Sequence, residues 1–387
     1  MEALPVANLQ AVKESNRNKV FRLLFAQGPL SRVELARRAG LSPTTVSSLV
    51  AELLAERVVA ETGPREARGS GRRPTMLEVS ADGRVLAAVG VDASGLSAAL
   101  LDLRFRPLTA RTTSVADFAA LGDALADAVA GLLAEAGRDA AALLGICLGV
   151  PALLDAENGR ILASTVLMLP EGTDAVGRLR ERFPGTPVHL ENDSALKAYA
   201  EQAFGPTGGA RNLVFLDVGA GIGAGIILDG RRFTGAYGHA GEIGHMTVDP
   251  HGPLCRCGNR GCLEAMAALP ALSRAVAGDG TDGPPAEALL QAYRAGDPRV
   301  RAVADEGARI LARGIDNLVA LINPQVVVLG GEAAGFGPDF LAAVRAALRP
   351  LALGAGRDRV ELRFSEIPGD PVALGGARVV LDRAFGA

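Results

Sequence analysis

A cluster of three cysteines within eight residues sets the strongest limit on the local structure of this sequence. Cys255, Cys257 and Cys262 are separated by one and four residues, and glycines between them allow sharp turns. Two histidines, His245 and His251, precede the cysteines. The spacing leaves open which of the two is the fourth metal ligand. Three thiolates and one imidazole complete a tetrahedral zinc shell with no open position, which is typical of structural sites. We therefore predict a loop that folds around a structural Zn²⁺ ion.

The expected compartment decides whether these cysteines bind metal or form disulfides. The N-terminal residues lack the pattern of an export signal, and no apolar run is long enough to span a membrane. We expect a cytoplasmic protein without a membrane partner, in which thiols stay reduced and favour metal binding. Cys147 lies apart from the cluster in the apolar run 143–150, and we predict that it is a core residue.

Charge divides the chain into two unequal parts. Residues 1–80 carry 12 Lys and Arg against 8 Asp and Glu, whereas residues 81–387 carry 28 against 35. The formal net charge of -3 therefore hides a basic head of +4 and an acidic body of -7. A basic head permits a polyanionic partner such as nucleic acid. The 387 residues, 49% of them apolar, are sufficient for two or three globular domains.

The basic head has the pattern of a helix-turn-helix. Residues 16–56 predict three short helices, of which the second begins with a capping box of Ser31 and Glu34 and the third is capped by Ser42. The exposed face of the third helix carries small hydroxyl side chains, which fit a major groove and reach base edges or phosphates. A plain three-helix bundle is the alternative. The residues predicted to contact DNA here are Ser42, Thr44, Thr45, Ser47 and Ser48.

The next segment predicts a wing. Two predicted strands, 58–61 and 75–79, flank a stretch rich in glycine and arginine. A hairpin that follows a helix-turn-helix forms a winged helix, and its arginines enter a minor groove or pair with phosphates. We predict these contacts for Arg68, Arg72 and Arg73. The alternative is a flexible linker with a solvated charge run.

The body alternates strands and helices, which predicts an α/β fold. Apolar strands are expected at 85–91, 97–103, 143–150, 213–218 and 325–330. Helical patterns occupy 116–136, 194–203, 302–322 and 338–348. Two hairpins marked by glycines, 88–103 and 214–229, resemble each other loosely. They suggest a duplicated fold of two similar lobes with a cleft between them.

Two motifs in the body point to a ligand site. Glycine occupies every second position in 219–225, and such a hairpin exposes N–H groups that cradle phosphate, although glycines also serve tight packing. The second motif, Glu191-Asn192-Asp193, follows a strand, where a carboxylate faces the cleft of an open α/β sheet. Asp193 could take a proton from a sugar hydroxyl as a general base. An ordinary helix N-cap is the alternative for this motif.

With these motifs the body resembles the ROK family of repressors, open reading frames and sugar kinases, and the N-terminal winged helix resembles its repressor branch. Members of that branch sense xylose, glucose or N-acetylglucosamine status. The matching stretches are E-N-D at 191–193, G-A-G-I-G-A-G-I-I-L-D-G at 219–230, G-H-A-G-E-I-G-H at 238–245, C-x-C-G-N-R-G-C-L-E at 255–264 and V-V-V-L-G-G at 326–331.

The resemblance implies a two-lobed actin/hexokinase-like fold with a sugar between the lobes. It implies a sugar site lined by Asn192, Asp193, Glu242, His245 and Glu264. It also implies zinc ligands at His245, Cys255, Cys257 and Cys262, and so selects His245 over His251. One nitrogen of His245 would bind zinc while the other faces the sugar.

Departures from the family pattern argue against an enzyme. The kinases carry D-x-G-G-T-K in the first hairpin, which holds ATP phosphates, whereas this chain has Asp92-Ala93-Ser94-Gly95-Leu96-Ser97. Phosphoryl transfer depends on positioning and charge neutralisation, so we expect no catalysis. Ala152 and the stretch 166–168 depart from the pattern on the sugar side, which concerns the identity of the ligand.

We therefore expect a sugar-responsive transcriptional repressor that binds double-stranded operator DNA as a homodimer or homotetramer. An ATP-dependent sugar kinase with Asp193 as general base is the alternative. The expected domains are a winged helix-turn-helix at 1–80, a small lobe at 81–200 with the C-terminal helix 370–387 packed back on it, and a large lobe at 201–369 that carries the zinc loop.

Overall fold

The computed structural model describes residues 6–64, 74–115, 120–278, 280–348 and 360–386. The N-terminal part consists of three helices and a three-stranded sheet of order β1-β3-β2. Its elements are α1 Val6–Gln27, β1 Leu30–Ser31, α2 Arg32–Ala39, α3 Pro43–Ala55, β2 Val59–Pro64 and β3 Thr75–Val79.

The predicted caps of the helix-turn-helix are present. Ser31 and Glu34 form a capping box at the start of α2, and Gly40 ends that helix with a φ of 64°. Ser42 accepts a hydrogen bond from the backbone of Thr45 at the start of α3. Helix α1 is longer than predicted, since it begins at Val6 rather than near residue 16; no glycine or proline interrupts the stretch before Gly28.

The wing is formed by β2 and β3, which pair antiparallel. Strand β3 also pairs with β1, so the hairpin is attached to the start of the helix-turn-helix. The tip of the wing, with the predicted DNA contacts Arg68, Arg72 and Arg73, lies outside the described residues.

The body contains two five-stranded sheets. The first has the order β11-β7-β4-β5-β6. It and its neighbouring elements comprise β4 Val85–Asp92, β5 Gly95–Asp102, β6 Pro107–Ser114, α4 Leu121–Glu135, β7 Leu143–Val150, the small sheet of β8 Leu153–Asp155, β9 Arg160–Ala163 and β10 Thr173–Asp174, then α5 Gly177–Arg182, β11 Val188–Asn192 and α6 Asp193–Phe204.

The second sheet has the order β14-β13-β12-β15-β16. Its elements are β12 Leu213–Val218, β13 Ile222–Leu228, β14 Arg231–Arg232, α7 Leu263–Ala267, α8 Leu269–Ala277, α9 Ala286–Arg294, α10 Pro298–Ile322, β15 Val326–Gly330, α11 Pro338–Ala347, β16 Glu361–Phe364 and α12 Pro371–Phe385. No described helix combines the length and the apolar content that crossing a bilayer requires.

The two sheets have the same plan. In each sheet, the first three strands in sequence lie side by side and run antiparallel. Two later strands lie on the other side of the first strand and run parallel to it. The loose resemblance between the two predicted hairpins therefore corresponds to a repeated topology. Parallel strands place their carboxyl ends at one edge of each sheet, where α/β proteins bind ligands.

Two helices connect the parts of the molecule. Helix α12 packs on β4 and β7 of the first sheet and contacts α1 of the head. Helix α6 packs against α12 and also against β12 and β13 of the second sheet. Cys147 of β7 is fully buried in the core beneath α12, as predicted.

Candidate functional site

A cavity of about 1190 Å³, here called the interlobe cleft, lies between loops of the two sheets. Its volume is ample for a monosaccharide, since pockets for small ligands have volumes of about 300–1,000 Å³. All five predicted sugar-binding residues line this cleft: Asn192, Asp193, Glu242, His245 and Glu264.

Asn192 and Asp193 lie where β11 passes into α6. Asn192 is the helix N-cap, because its Oδ1 accepts a hydrogen bond from the Ala195 backbone at 3.2 Å, while its Nδ2 donates to the Ala152 carbonyl at 3.4 Å. Asp193 is the first helical residue and is buried. The N-cap alternative thus applies to Asn192, and the Asp193 carboxylate is directed elsewhere.

The Asp193 carboxylate is paired with a lysine that the sequence analysis did not single out. Lys197, one helical turn further on, donates to Asp193 Oδ2 at 2.9 Å. The same ammonium also donates to Asp217 at the end of β12. The spacing of four residues between Asp193 and Lys197 was a sequence signal for this pair. The involvement of Asp217 depends on how the two sheets meet and had no such signal.

Glu242 and His245 project from a short turn beside β13. Gly241, with a φ of 102°, brings this turn so close that a Cβ would lie 1.9 Å from the Ala224 carbonyl oxygen, so only glycine fits. Burial raises the pKa of Glu242, and the nearby His245 lowers it by a smaller amount. Glu264 of α7 accepts a hydrogen bond from the Ile222 backbone at 3.1 Å.

The three clustered cysteines and His245 come together as a group that can hold a metal ion. Their four ligand atoms all lie within 4.8 Å of one another. His245 Nδ1 is 3.8 Å from Cys255 Sγ, and Cys257 Sγ is 3.6 Å from Cys262 Sγ. Zn–S bonds of about 2.3 Å in a tetrahedron separate sulfurs by about 3.8 Å, so the set fits zinc. His251 does not belong to this group.

His245 joins the metal cluster to the cleft. Its Nδ1 faces Cys255, while its Nε2 lies 3.9 Å from a carboxylate oxygen of Glu242. The cysteine loop also reaches across the cleft, because Arg256 donates to the Thr165 carbonyl oxygen at 3.1 Å. An ion held by this cluster would therefore fix both a side chain of the cleft and one of its edges.

The glycine-rich hairpin serves mainly close packing. A Cβ at Gly225 would lie 2.2 Å from the Ser194 carbonyl oxygen and 2.4 Å from Ala198, so β13 packs directly on α6. Gly223 meets the Ser194 side chain in the same way. The end of the hairpin, Gly219–Gly223, lines the cleft. Of the two explanations for these glycines, packing accounts for Gly223 and Gly225.

In the first hairpin, formed by β4 and β5, the Asp92 carboxylate closes the turn. Asp92 Oδ1 accepts hydrogen bonds from the Ser94 backbone at 2.7 Å, the Ser94 hydroxyl at 2.5 Å and the Gly95 backbone at 3.1 Å. These three donors leave that oxygen engaged within its own turn. No lysine or threonine follows in the hairpin to hold a phosphate.

Helix α3 presents the predicted DNA-binding face. Thr44, Ser47 and Ser48 are exposed, while the buried stripe of the helix consists of Val46, Leu49, Val50 and Leu53. The hydroxyl of Ser42 is 2.8 Å from that of the partly exposed Thr45, within the cap of the helix. The exposed hydroxyls therefore lie on the face opposite the core.

Aromatic rings join the head to the body. Phe21 of α1 stacks on Phe385 of α12 with ring centroids 3.7 Å apart, and both rings are fully buried. Arg17 lies over the Phe385 ring at 4.9 Å, and Arg22 donates to the Gly386 carbonyl oxygen at 2.8 Å. The first helix of the head is thus packed against the last helix of the chain.

Comparison with known proteins separates the same two parts. The sequence model of the ROK family matches residues 88–382, and a model described as winged helix-turn-helix DNA-binding matches residues 14–60. The xylose repressor of Caldicellulosiruptor bescii is 29% identical over 395 residues, which cover 97% of this chain and 98% of that protein.

Two solved structures extend the comparison. A ROK family transcriptional regulator, described as a homologue of the Escherichia coli MLC protein, has a TM-score of 0.81 and 26% identity, and the match covers 97% of this chain and 96% of that one. A ROK family glucokinase from Streptomyces griseus, solved with glucose and AMPPNP, has a TM-score of 0.68 and 26% identity and covers 76% of this chain and 98% of its own.

Proposed function

Because the chain belongs to the ROK family, we propose that it is a sugar-responsive DNA-binding transcriptional regulator that represses genes of carbohydrate metabolism. The observation that carries this proposal is the direct packing of a winged helix on a body with a ligand-sized cleft, through α1 and α12. The xylose repressor matches over nearly its whole length, head included.

The head binds operator DNA in this proposal. Helix α3 enters the major groove with the exposed hydroxyls of Thr44, Ser47 and Ser48, and the wing arginines contact phosphates or the minor groove. Two heads in a homodimer or homotetramer would read the half-sites of a palindromic operator. The protein would act in the cytoplasm, where its operator and its reduced thiols are found.

The interlobe cleft binds the effector sugar. Carboxylates and an amide accept from and donate to sugar hydroxyls, and bonds that involve a charged group are the stronger ones. These groups come from the end of β11, the turn beside β13 and the start of α7. A sugar held by both sheets shifts the protein towards the closed arrangement of the cleft by its difference in affinity for the two arrangements.

Zinc would have a structural role. His245, Cys255, Cys257 and Cys262 would hold it, and with four protein ligands it would stabilise the loop rather than activate water. His245 would then be fixed with Nε2 towards Glu242 and the sugar.

The kinase alternative is disfavoured because both carboxylates that it requires are occupied by hydrogen bonds within the protein. Asp193, the would-be base, is bound to Lys197, and Asp92 is engaged in its own turn. A coupled assay with ATP, Mg²⁺ and a panel of sugars is expected to give no turnover. Turnover that Asp193→Asn abolishes would establish the kinase instead.

A gel-shift experiment tests the regulator. The protein should bind a DNA fragment from its own promoter region at moderate salt, and one monosaccharide of a panel should change the affinity about tenfold or more. Glu242→Gln should bind the fragment equally well but lose most of the sugar response, because Glu242 lines the cleft and no residue of α3 does. Absence of specific DNA binding by the wild type would overturn the proposal.

A further inference from the structure

Lys197 is the only lysine of the chain beyond residue 19, and its side chain lies in the interlobe cleft. The other two lysines are Lys13 and Lys19, and arginine supplies every other cationic side chain among the 40. The Lys197 side chain is 17% exposed, and it lies between carboxylates of 11% and 16% exposure that belong to Asp193 and Asp217. A chain that otherwise relies on arginine thus has a lysine at the more enclosed of the two cationic positions that line the cleft.

The geometry explains the choice of lysine. Asp193 starts α6 and Asp217 is the last residue but one of β12, so the ammonium joins carboxylates that belong to the two halves of the cleft. An ammonium is a compact point charge with three donors, whereas a guanidinium is wide and planar. A compact cation between two carboxylates takes the place that a divalent cation would take, since Mg²⁺ binds to proteins through one or two carboxylates.

The remaining charges of the cleft are mostly negative. The described residues that line it include Asp92, Asp193, Asp217, Glu242, Glu264, Glu332 and Asp282, against the cations Lys197 and Arg256. Carboxylates attract the hydroxyls of a neutral sugar and repel a phosphate dianion.

We propose that Lys197 is a specificity-determining residue: a built-in cation that fills the place between Asp193 and Asp217 where a divalent metal ion could otherwise bind, so that the cleft accepts an uncharged sugar and excludes metal–nucleotide complexes and sugar phosphates. This inference rests on the proposed function, because it names the class of effector. It also explains why the chain retains Asp193 without kinase chemistry, since the carboxylate is held by the lysine.

Binding of Mn²⁺, measured by calorimetry and electron paramagnetic resonance on zinc-loaded full-length protein, tests the metal position. The wild type should show no saturable Mn²⁺ site, whereas Lys197→Met, of similar length and without charge, should gain one at least about tenfold tighter than any wild-type binding. Lys197→Arg keeps the charge and should gain none. The double variant Lys197→Met with Asp217→Asn should lose the gained site, because one of the two carboxylates is gone.

Calorimetry with free monosaccharides and with their 6-phosphates tests the ligand class on the wild type alone, so it stands even where a variant fails to fold. The uncharged sugar should bind at least about tenfold more tightly than its phosphate. The inference would be overturned if the wild type preferred the sugar phosphate, or if Lys197→Met folded without gaining Mn²⁺ binding. Neither result would affect the proposed regulator, which the gel shift tests separately. Binding of neither sugar class, with Mn²⁺ behaving as expected, would overturn the effector part of the proposed function and the ligand class inferred here, and would support only the place of Lys197 between the two carboxylates.

Discussion

Asn192 and Asp193 are adjacent in sequence but have different tasks in the structure. Asn192 caps α6 and contacts the Ala152 carbonyl, whereas Asp193 is bound to Lys197. The sequence predicted that both line the cleft but not how they divide these tasks, because the division depends on a lysine one turn later and on Asp217 in the other sheet. His245 has a similar double position, with one nitrogen towards the cysteines and the other towards Glu242.

Cys257 provides the sharpest single-residue test of the metal cluster. Its side chain is exposed, so Cys257→Ser removes a ligand with little loss of packing. Zinc content, measured by mass spectrometry, should fall from about one ion per chain to far less, and the thermal midpoint should drop by ~5 °C or more. His251→Gln, a nearby histidine outside the group, should leave both unchanged. Native protein that contains no zinc and binds sugar fully would contradict the site.

The long buried elements were predicted well and the short exposed ones were not. The predicted strands at 85–91, 143–150 and 213–218 correspond to β4, β7 and β12, because a continuous apolar run is a strong signal for a strand buried on both faces. Strand β6 was missed, since nearly all of its residues are exposed and most of them are polar. The sequence also did not predict the short elements α7, α8, β8, β9 and β10. Segments of two to nine residues carry too little hydrophobic periodicity to be recognised.

The wing formed by β2 and β3 leads to a prediction about salt. Replacing Arg72 and Arg73 with alanine should weaken operator binding and make the plot of log affinity against log salt shallower by about two, since each phosphate contact releases about 0.9 counterions. Fluorescence anisotropy at several salt concentrations measures both quantities. The matched control is Arg309→Ala with Arg313→Ala, which removes the same charge from exposed positions of α10.

An unchanged affinity and an unchanged slope in the wing variant would mean that residues 68–73 are a linker without DNA contacts. An equal change in the α10 control would mean that net charge, rather than the position of the wing, governs the salt dependence.

The body of the molecule is built on two five-stranded sheets with the same topology. The DNA-binding head is attached to it through α12, the last helix in the sequence. The family, the head and the two-lobed body could be inferred from motifs, because those motifs are local in sequence. The junction could not, because Phe21 and Phe385 are separated by nearly the whole chain and neither belongs to a recognisable pattern. The contact between Arg256 and Thr165 likewise could not be predicted from the sequence.

The junction between α1 and α12 should carry the sugar response to the head. Phe385→Ala should lower the free energy of unfolding by about 3–5 kcal/mol, since it removes a fully buried ring. It should also leave sugar affinity nearly unchanged while reducing the effect of sugar on operator affinity. Phe340→Ala in α11 removes a similarly buried ring from a core of the second sheet and should keep the response. Calorimetry for the sugar and anisotropy for the operator separate the two effects.

A response that survives in Phe385→Ala, or that is lost equally in Phe340→Ala, would show that the junction does not couple cleft and head.

The late position of α12 also has a consequence for synthesis on the ribosome. Alternate residues of β4 face two different cores, and the core shared with the head contains Val379, Val380 and Phe385. Until residues 371–385 have left the ribosomal exit tunnel, one face of the first sheet lacks the helix that covers it, and α1 packs mainly on α2, α3 and β3 of the head. We therefore expect a fragment that ends before α12 to leave the Phe21 ring without its stacking partner and to hold its helix-turn-helix less firmly against the first sheet.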